Sequence, residues 1–155
     1  RVDNPLLVQG TMAKQTLLSE FIENDKAVLL ATASFWEGVD VRGDKLTCVI
    51  IDKLPFASPD DPLLQARSED VKRQGGDPFY HIQLPQAVIA LKQGVGRLIR
   101  DVRDEGIMVI CDDRLVNRPY GEVFLKSLPG MKRSRNLEQA AQFLQTITDD
   151  VGEKA

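Results

Sequence analysis

Four short, almost wholly apolar runs constrain this chain of 155 residues more than any other feature. They are Leu6-Leu7-Val8-Gln9, Ala27 to Thr32, Leu46 to Asp52 and Ile107 to Asp112. Each has strand length, and the third is β-branched and apolar throughout. Continuous rather than alternating hydrophobicity is what a strand needs when helices cover both of its faces. The stretches between these runs carry helical spacing. The sequence therefore predicts an α/β fold, a mainly parallel sheet covered by helices on both faces. At this length it forms one domain with a full core.

Boundary signals place the connecting elements. Thr11 is the expected cap of a helix over Met12 to Asn24, with Leu17, Leu18, Phe21 and Ile22 as its stripe. Ala33 to Gly43 has no helical period and reads as a loop around the pair Phe35-Trp36. Lys53 to Pro59 is extended, because each proline disfavours helix in the residue before it. Asp60 or Asp61 caps a helix running to about Gln74, with Pro62 in its first turn, and Gly75-Gly76-Asp77-Pro78 breaks the chain. Leu115 to Leu128 is helical in part, with Pro119 near a start and Pro129-Gly130 as a stop. Asn136 caps a last helix with the stripe Leu137, Ala140, Ala141, Leu144 and Ile147. The tail from Asp149 is polar and expected to fray.

Chemistry concentrates in Leu84 to Arg100. Pro85 suits a first helical position, where its missing N–H costs nothing. Val88, Leu91, Val95 and Leu98 then recur at spacings of three and four, and Gln93, Arg97 and Arg100 occupy the opposite face. Two guanidiniums a turn apart can grip a phosphate from two directions. Gly94 and Gly96 each cost about 1 kcal/mol relative to alanine inside a helix, and they clear space beside the arginine row for a close approach. The plainer alternative is an amphipathic helix with a solvated basic face.

Other features bound the function. The net charge of −3 gives no global basic field, so any nucleic-acid contact is local. Cys48 and Cys111 each sit in an apolar run and read as two buried free thiols, which favours a reducing, cytoplasmic setting. No apolar run approaches the roughly 20 residues of a membrane span. Asp112-Asp113 superficially resembles a magnesium-binding strand end, but no phosphate loop of the form G-x-x-x-x-G-K-[ST] occurs in the sequence, so a structural role is preferred. Asp104-Glu105 reads as turn surface and His81, the sole histidine, as structural. Lys126, Lys132, Arg133 and Arg135 form a loose basic cluster, by default solvated.

In parallel α/β sheets, ligands bind outside the carboxyl ends of the strands. Ser34 to Asp40, Lys53 to Asp61 and Asp112-Asp113-Arg114 lie there. Gly38 permits close backbone approach, and Asp40 can accept from a sugar hydroxyl. Phe35 is expected to plug the core. Trp36 fits a core plug and a base-stacking surface equally well.

The pairing of Ser34-Phe35-Trp36-Glu37-Gly38-Val39-Asp40 with Gln93-Gly94-Val95-Gly96-Arg97-Leu98-Ile99-Arg100 resembles motifs V and VI of superfamily 2 helicases, and within them the XPD/DinG branch. Ile51-Asp52-Lys53-Leu54-Pro55-Phe56 and Ile110-Cys111-Asp112-Asp113-Arg114-Leu115 fit the same branch. The resemblance implies a three-layer RecA-like second lobe over residues 1–148, lacking its opening strand, followed by a polar tail over 149–155. It implies that Arg97 and Arg100 reach the γ-phosphate of ATP held with Mg2+ on a first lobe, with Gln93 sensing it and Gly38, Asp40 and Gly96 at the nucleotide cleft. Ser34, Trp36 and Lys53 would face single-stranded or forked DNA, with 5′ to 3′ polarity, in DNA repair or replication. The branch's 4Fe-4S cluster would belong to the missing lobe.

Without a Walker A lysine or an acidic box, the chain alone is expected to hydrolyse no ATP. It opens at Arg1 with a strand almost at once, the start expected of a fragment. For the bacterial paralogues of DinG the resemblance also implies a partner, the chi subunit of DNA polymerase III, docked in part by Leu137, Ala140, Phe143 and Leu144. A non-catalytic module that presents this surface to a replication protein is the alternative function.

Overall fold

The computed structural model describes residues 3–36, 41, 45–99 and 104–153. Within it, strands β1 (Leu6–Val8), β2 (Val28–Leu30), β3 (Cys48–Ile51) and β4 (Ile107–Ile110) fall inside the four apolar runs. The helices are α1 (Lys14–Glu23), α2 (Pro62–Arg73), α3 (Leu84–Leu98), α4 (Arg114–Asn117), α5 (Gly121–Ser127) and α6 (Leu137–Glu153). Backbone contacts divide the chain into two units, Arg1–Val49 with Gly96–Ile107 and Asn136–Ala155, and Ile50–Val95 with Met108–Arg135.

In the first unit β1 and β2 pair in parallel, Leu6 opposite Val28 and Val8 opposite Leu30. Parallel neighbours need a crossover, and α1 supplies it. Leu17 of α1 packs with Leu7, Phe35 and Val41 in one buried cluster, so Phe35 is the core plug expected of it. Thr11 does not cap α1. Its hydroxyl donates to the Val8 carbonyl at 2.8 Å, closing a turn at Gly10, whose φ of 95° favours glycine. The helix therefore starts at Lys14 with no side-chain cap. β1 also alternates instead of burying both faces: Leu7 is buried, while Leu6 and Val8 are exposed. At the other end of this unit, Asn136 Oδ1 accepts from the N–H groups of Glu138 and Gln139 and caps α6 as expected. That helix continues through Asp149 to Glu153, so helix rather than frayed tail follows Asp149.

β3 and β4 form a second two-stranded sheet. The Ile107 N–H donates to the Thr47 carbonyl and the Cys111 N–H to that of Ile51, so partner numbers rise together and the strands run parallel. In the second unit Leu54, Leu84, Ala87, Leu91 and Phe124 form the buried cluster. Asp61 caps α2 through Leu63 and Leu64, with Pro62 next to it, as the sequence indicates.

Pro85 does not open its helix. The helical run begins at Pro78, with the Asp77 carboxylate accepting from the Phe79 N–H at 2.8 Å. It passes through a π-turn over Phe79–Gln83 before α3. The Leu84 N–H bonds to the Phe79 carbonyl five residues back, and this wider turn accommodates a proline that offers no N–H of its own. The cysteines also depart from expectation. Cys48 is half-buried, and its desolvated thiol is pushed up in pKa, but Cys111 is exposed at the end of β4, where the chain leaves the strand.

Candidate functional site

Helix α3 is sided as its periodicity requires. Leu91, Val95 and Leu98 are buried, Val88 is half-buried, and Gln93 and Gly96 are exposed with Arg97 partly so. Gln93 and Arg97 stand one turn apart, about 6 Å along the axis. The two glycines differ from each other. Gly94 lies on the buried side, three residues after Leu91 and four before Leu98, so it is a packing position rather than a gap beside the arginine row. An added Cβ at Gly96 meets no described atom within 4 Å, and the residue is exposed. Arg100, the second predicted arginine, lies outside the described residues.

Ala33–Trp36 forms a 3-10 turn rather than an irregular loop. Gln9 Oε1 accepts from both the N–H and the hydroxyl of Thr32, at 2.8 and 3.0 Å, tying the approach to this turn to the end of β1. The backbones of Ser34 and Trp36 lie in the turn. Their side chains, and all of Gly38 and Asp40, lie outside the described residues.

In the second unit, Lys53 is exposed where the chain leaves β3. With Asp52, Cys111, Asp112, Asp113 and Arg114 it lines an open depression of about 490 Å³. Asp112 is the most constrained group there. Its Oδ2 accepts from the Leu54 N–H at 2.8 Å and from Arg114 Nη2 at 2.6 Å. Its Oδ1 accepts from the Arg114 backbone N–H at 3.0 Å and from Arg114 Nε at 2.9 Å. The Asp112 side chain is 5 % exposed and that of Arg114 39 %. The guanidinium holds the Asp112 carboxyl well below the usual carboxylate range, and burial opposes this without prevailing.

A carboxylate so fully engaged has no lone pair directed at a cation. These bonds tie the end of β4 to Leu54 and give Asp112 a structural role. The ion pair with Arg114 is a feature that sequence reasoning missed. Its signal was present: an aspartate after a strand and two residues before an arginine can accept from that residue's N–H.

The remaining expected positions divide between surface and interior. His81 Nδ1 lies 2.8 Å from the Asp77 carbonyl. Arg133 donates to the Leu125 carbonyl and Lys126 pairs with Glu122, so the basic cluster is partly engaged locally. On α6, Ile147 is buried and Ala140 and Leu144 are half-buried. Leu137 is 76 % and Phe143 45 % exposed.

Comparison with known proteins places these elements. The family described as Helicase C-terminal domain matches residues 1–131. The ATP-dependent DNA helicases YoaA of Haemophilus influenzae and Escherichia coli are 64 % and 63 % identical over 140 residues, 90 % of this chain and 22 % of each relative. The ATP-dependent helicase DinG of Mycobacterium tuberculosis is 39 % identical over 147 residues, 95 % of this chain and 22 % of that protein. The chain thus spans about a fifth of the length of these curated relatives. These matches assign the chain to the helicase C-terminal domain family, as a RecA-like α/β lobe of the XPD/DinG branch.

Proposed function

We propose that residues 1–148 are the second motor lobe of an ATP-dependent DNA helicase that moves 5′ to 3′ in DNA repair or replication, with 149–155 as its C-terminal extension. A first lobe binds ATP and Mg2+ and carries the iron–sulfur cluster. This lobe supplies the groups that act on the γ-phosphate. The observation that carries the reading is the two-sidedness of α3, where Leu91, Val95 and Leu98 fix one face in the core while Gln93, Gly96 and Arg97 stand on the other. Arg97 and Arg100 would donate to γ-phosphoryl oxygens as charge builds there, and Gln93 would report the presence of the phosphate. Such arginines can raise turnover about 10³- to 10⁵-fold. Gly38 and Asp40 would contact the nucleotide, and Ser34, Trp36 and Lys53 a single strand of DNA. A cytoplasmic setting follows from that role.

The test is DNA-stimulated ATPase of the full-length protein, wild type against Arg97→Ala and Arg100→Ala, with ATP binding measured alongside. Turnover should collapse while ATP still binds. Unchanged turnover would make the two arginines a solvated face and end the motor reading. The 155-residue chain alone should hydrolyse no ATP.

A second reading, a non-catalytic module docking the chi subunit of DNA polymerase III, draws on α6. Leu137 and Phe143 stand exposed on this helix, although Ile147 is buried and Leu144 half-buried. Phe143→Ala should weaken chi binding with the fold intact, and unchanged binding would remove the docking role.

A further inference from the structure

The depression at the ends of β3 and β4 is no anion pocket, since Asp52, Asp112 and Asp113 outnumber Lys53 and Arg114. Its order is nevertheless unusual. Leu54 is held at three points: its side chain lies in the core with Leu84, Leu91 and Phe124, its N–H donates to Asp112, and its carbonyl accepts from the Phe56 N–H at 2.7 Å. Phe56 is held in turn. The Arg114 guanidinium lies 5.3 Å from its ring centroid, and Phe79, Tyr120 and Phe124 surround the ring. One ion pair, Asp112–Arg114, therefore grips Leu54 through its carboxylate and Phe56 through its guanidinium. Lys53, the residue immediately before this clamped turn, is left outside and exposed.

We propose that Asp112 and Arg114 are positioning residues for Lys53, fixing the backbone from which its ammonium meets a phosphate of single-stranded DNA. This rests on the proposed DNA contact of Lys53. Asp112 touches no DNA, and its effect passes through the Leu54 N–H. A long flexible lysine on an unpinned loop would lose rotamer freedom and loop freedom together on binding, whereas the clamp removes the second loss in advance.

The experiment is a double-mutant cycle in the full-length protein, read as Kd for oligo-dT and its salt dependence. Lys53→Ala should weaken binding about two- to fivefold and, as one lost phosphate contact, lower the slope of log K against log salt by about 0.7. Asp112→Asn should weaken binding by a similar factor when Lys53 is present and have no further effect in the Lys53→Ala background. The DNA concentration for half-stimulation of the ATPase should rise in Lys53→Ala and in Asp112→Asn alike. Arg114→Lys, which keeps the charge but loses the fork, is the milder partner should Asp112→Asn fail to fold, and it should act in the same direction. If Lys53→Ala leaves DNA affinity unchanged, the DNA contact itself fails and the inference fails with it. If Lys53→Ala weakens binding but the Asp112 or Arg114 effects are absent or simply additive to it, the contact stands and the positioning role is overturned.

Discussion

Alanine at Gly96 should make the lobe more stable and the enzyme worse. Gly96 lies within α3 and its φ is not positive, so alanine fits the backbone without strain. Its added methyl meets no described atom within 4 Å, so nothing described need move. What remains is the difference in helix propensity, about 0.5–1 kcal/mol in favour of alanine, at the lower end here because the helix stops two residues later. For a domain of this size that is a rise in Tm of about 1–4 °C. If Gly96 is kept bare so that the nucleotide can approach α3, the same methyl enters the space the phosphate needs. Misplacement by about 1 Å would then lower DNA-stimulated ATPase of the full-length protein about 10- to 100-fold. Thermal unfolding of the chain and ATPase of the full-length protein read the two halves separately. Gly121→Ala is the control of opposite sign. Its added Cβ would lie 1.9 Å from the Leu115 carbonyl oxygen and 2.6 Å from its carbon, so backbone must shift. That should cost about 1–3 kcal/mol. A destabilised Gly96→Ala would refute the open face of α3, and a stabilised variant with full ATPase would refute the role given to Gly96.

Phe124→Ala should lower stability by about 3–5 kcal/mol in urea unfolding, because this fully buried ring meets Leu54, Leu84 and Leu91 and stacks edge-on to Phe56; a loss under about 1 kcal/mol would show that the cluster collapses around the gap. The Asp112 carboxyl is held below its ordinary range, so its stabilising contribution is complete above the unfolded value of about 3.9 and fades as pH falls below it. Asp112→Asn should therefore flatten the acid limb of stability against pH and leave the neutral region parallel to wild type; an unchanged acid limb would show that Asp112 does not carry this dependence.

Strand positions and the sidedness of α3 were legible because they depend on local periodicity. The cap of α2 is narrowed by sequence to Asp60 or Asp61 and falls at Asp61 before Pro62, yet Asp77-Pro78 carries the same signature and reads in sequence only as a break. The two glycines before it and the proline at 85 suggested a later beginning, and a π-turn leaves no periodic trace in so short a stretch. Thr11 failed as a cap because its hydroxyl found the Val8 carbonyl first, a competition that side-chain chemistry alone does not rank. Gly94 and Gly96 look equivalent in sequence, and only the helical phase relative to Leu91 and Leu98 separates the packed one from the open one. The apolar neighbours of Cys111 point to burial, but the strand ends one residue earlier and the thiol is exposed. The Asp112–Arg114 clamp reaches Leu54, 58 residues away in sequence, and no local pattern announces a bond of that range.

The π-turn ahead of α3 makes the helical run sensitive to chain length over Phe79–Gln83. It behaves as a one-residue insertion absorbed within a helix. Removing any one of its five residues would restore the ordinary helical repeat and set the Pro85 ring against the carbonyl four residues before it. It would also turn everything upstream by about 100° relative to α3, swinging Phe79 away from Phe56 and Tyr120, which it now meets. Substitutions here are absorbed side chain by side chain, whereas a single insertion or deletion is felt along the whole helical run.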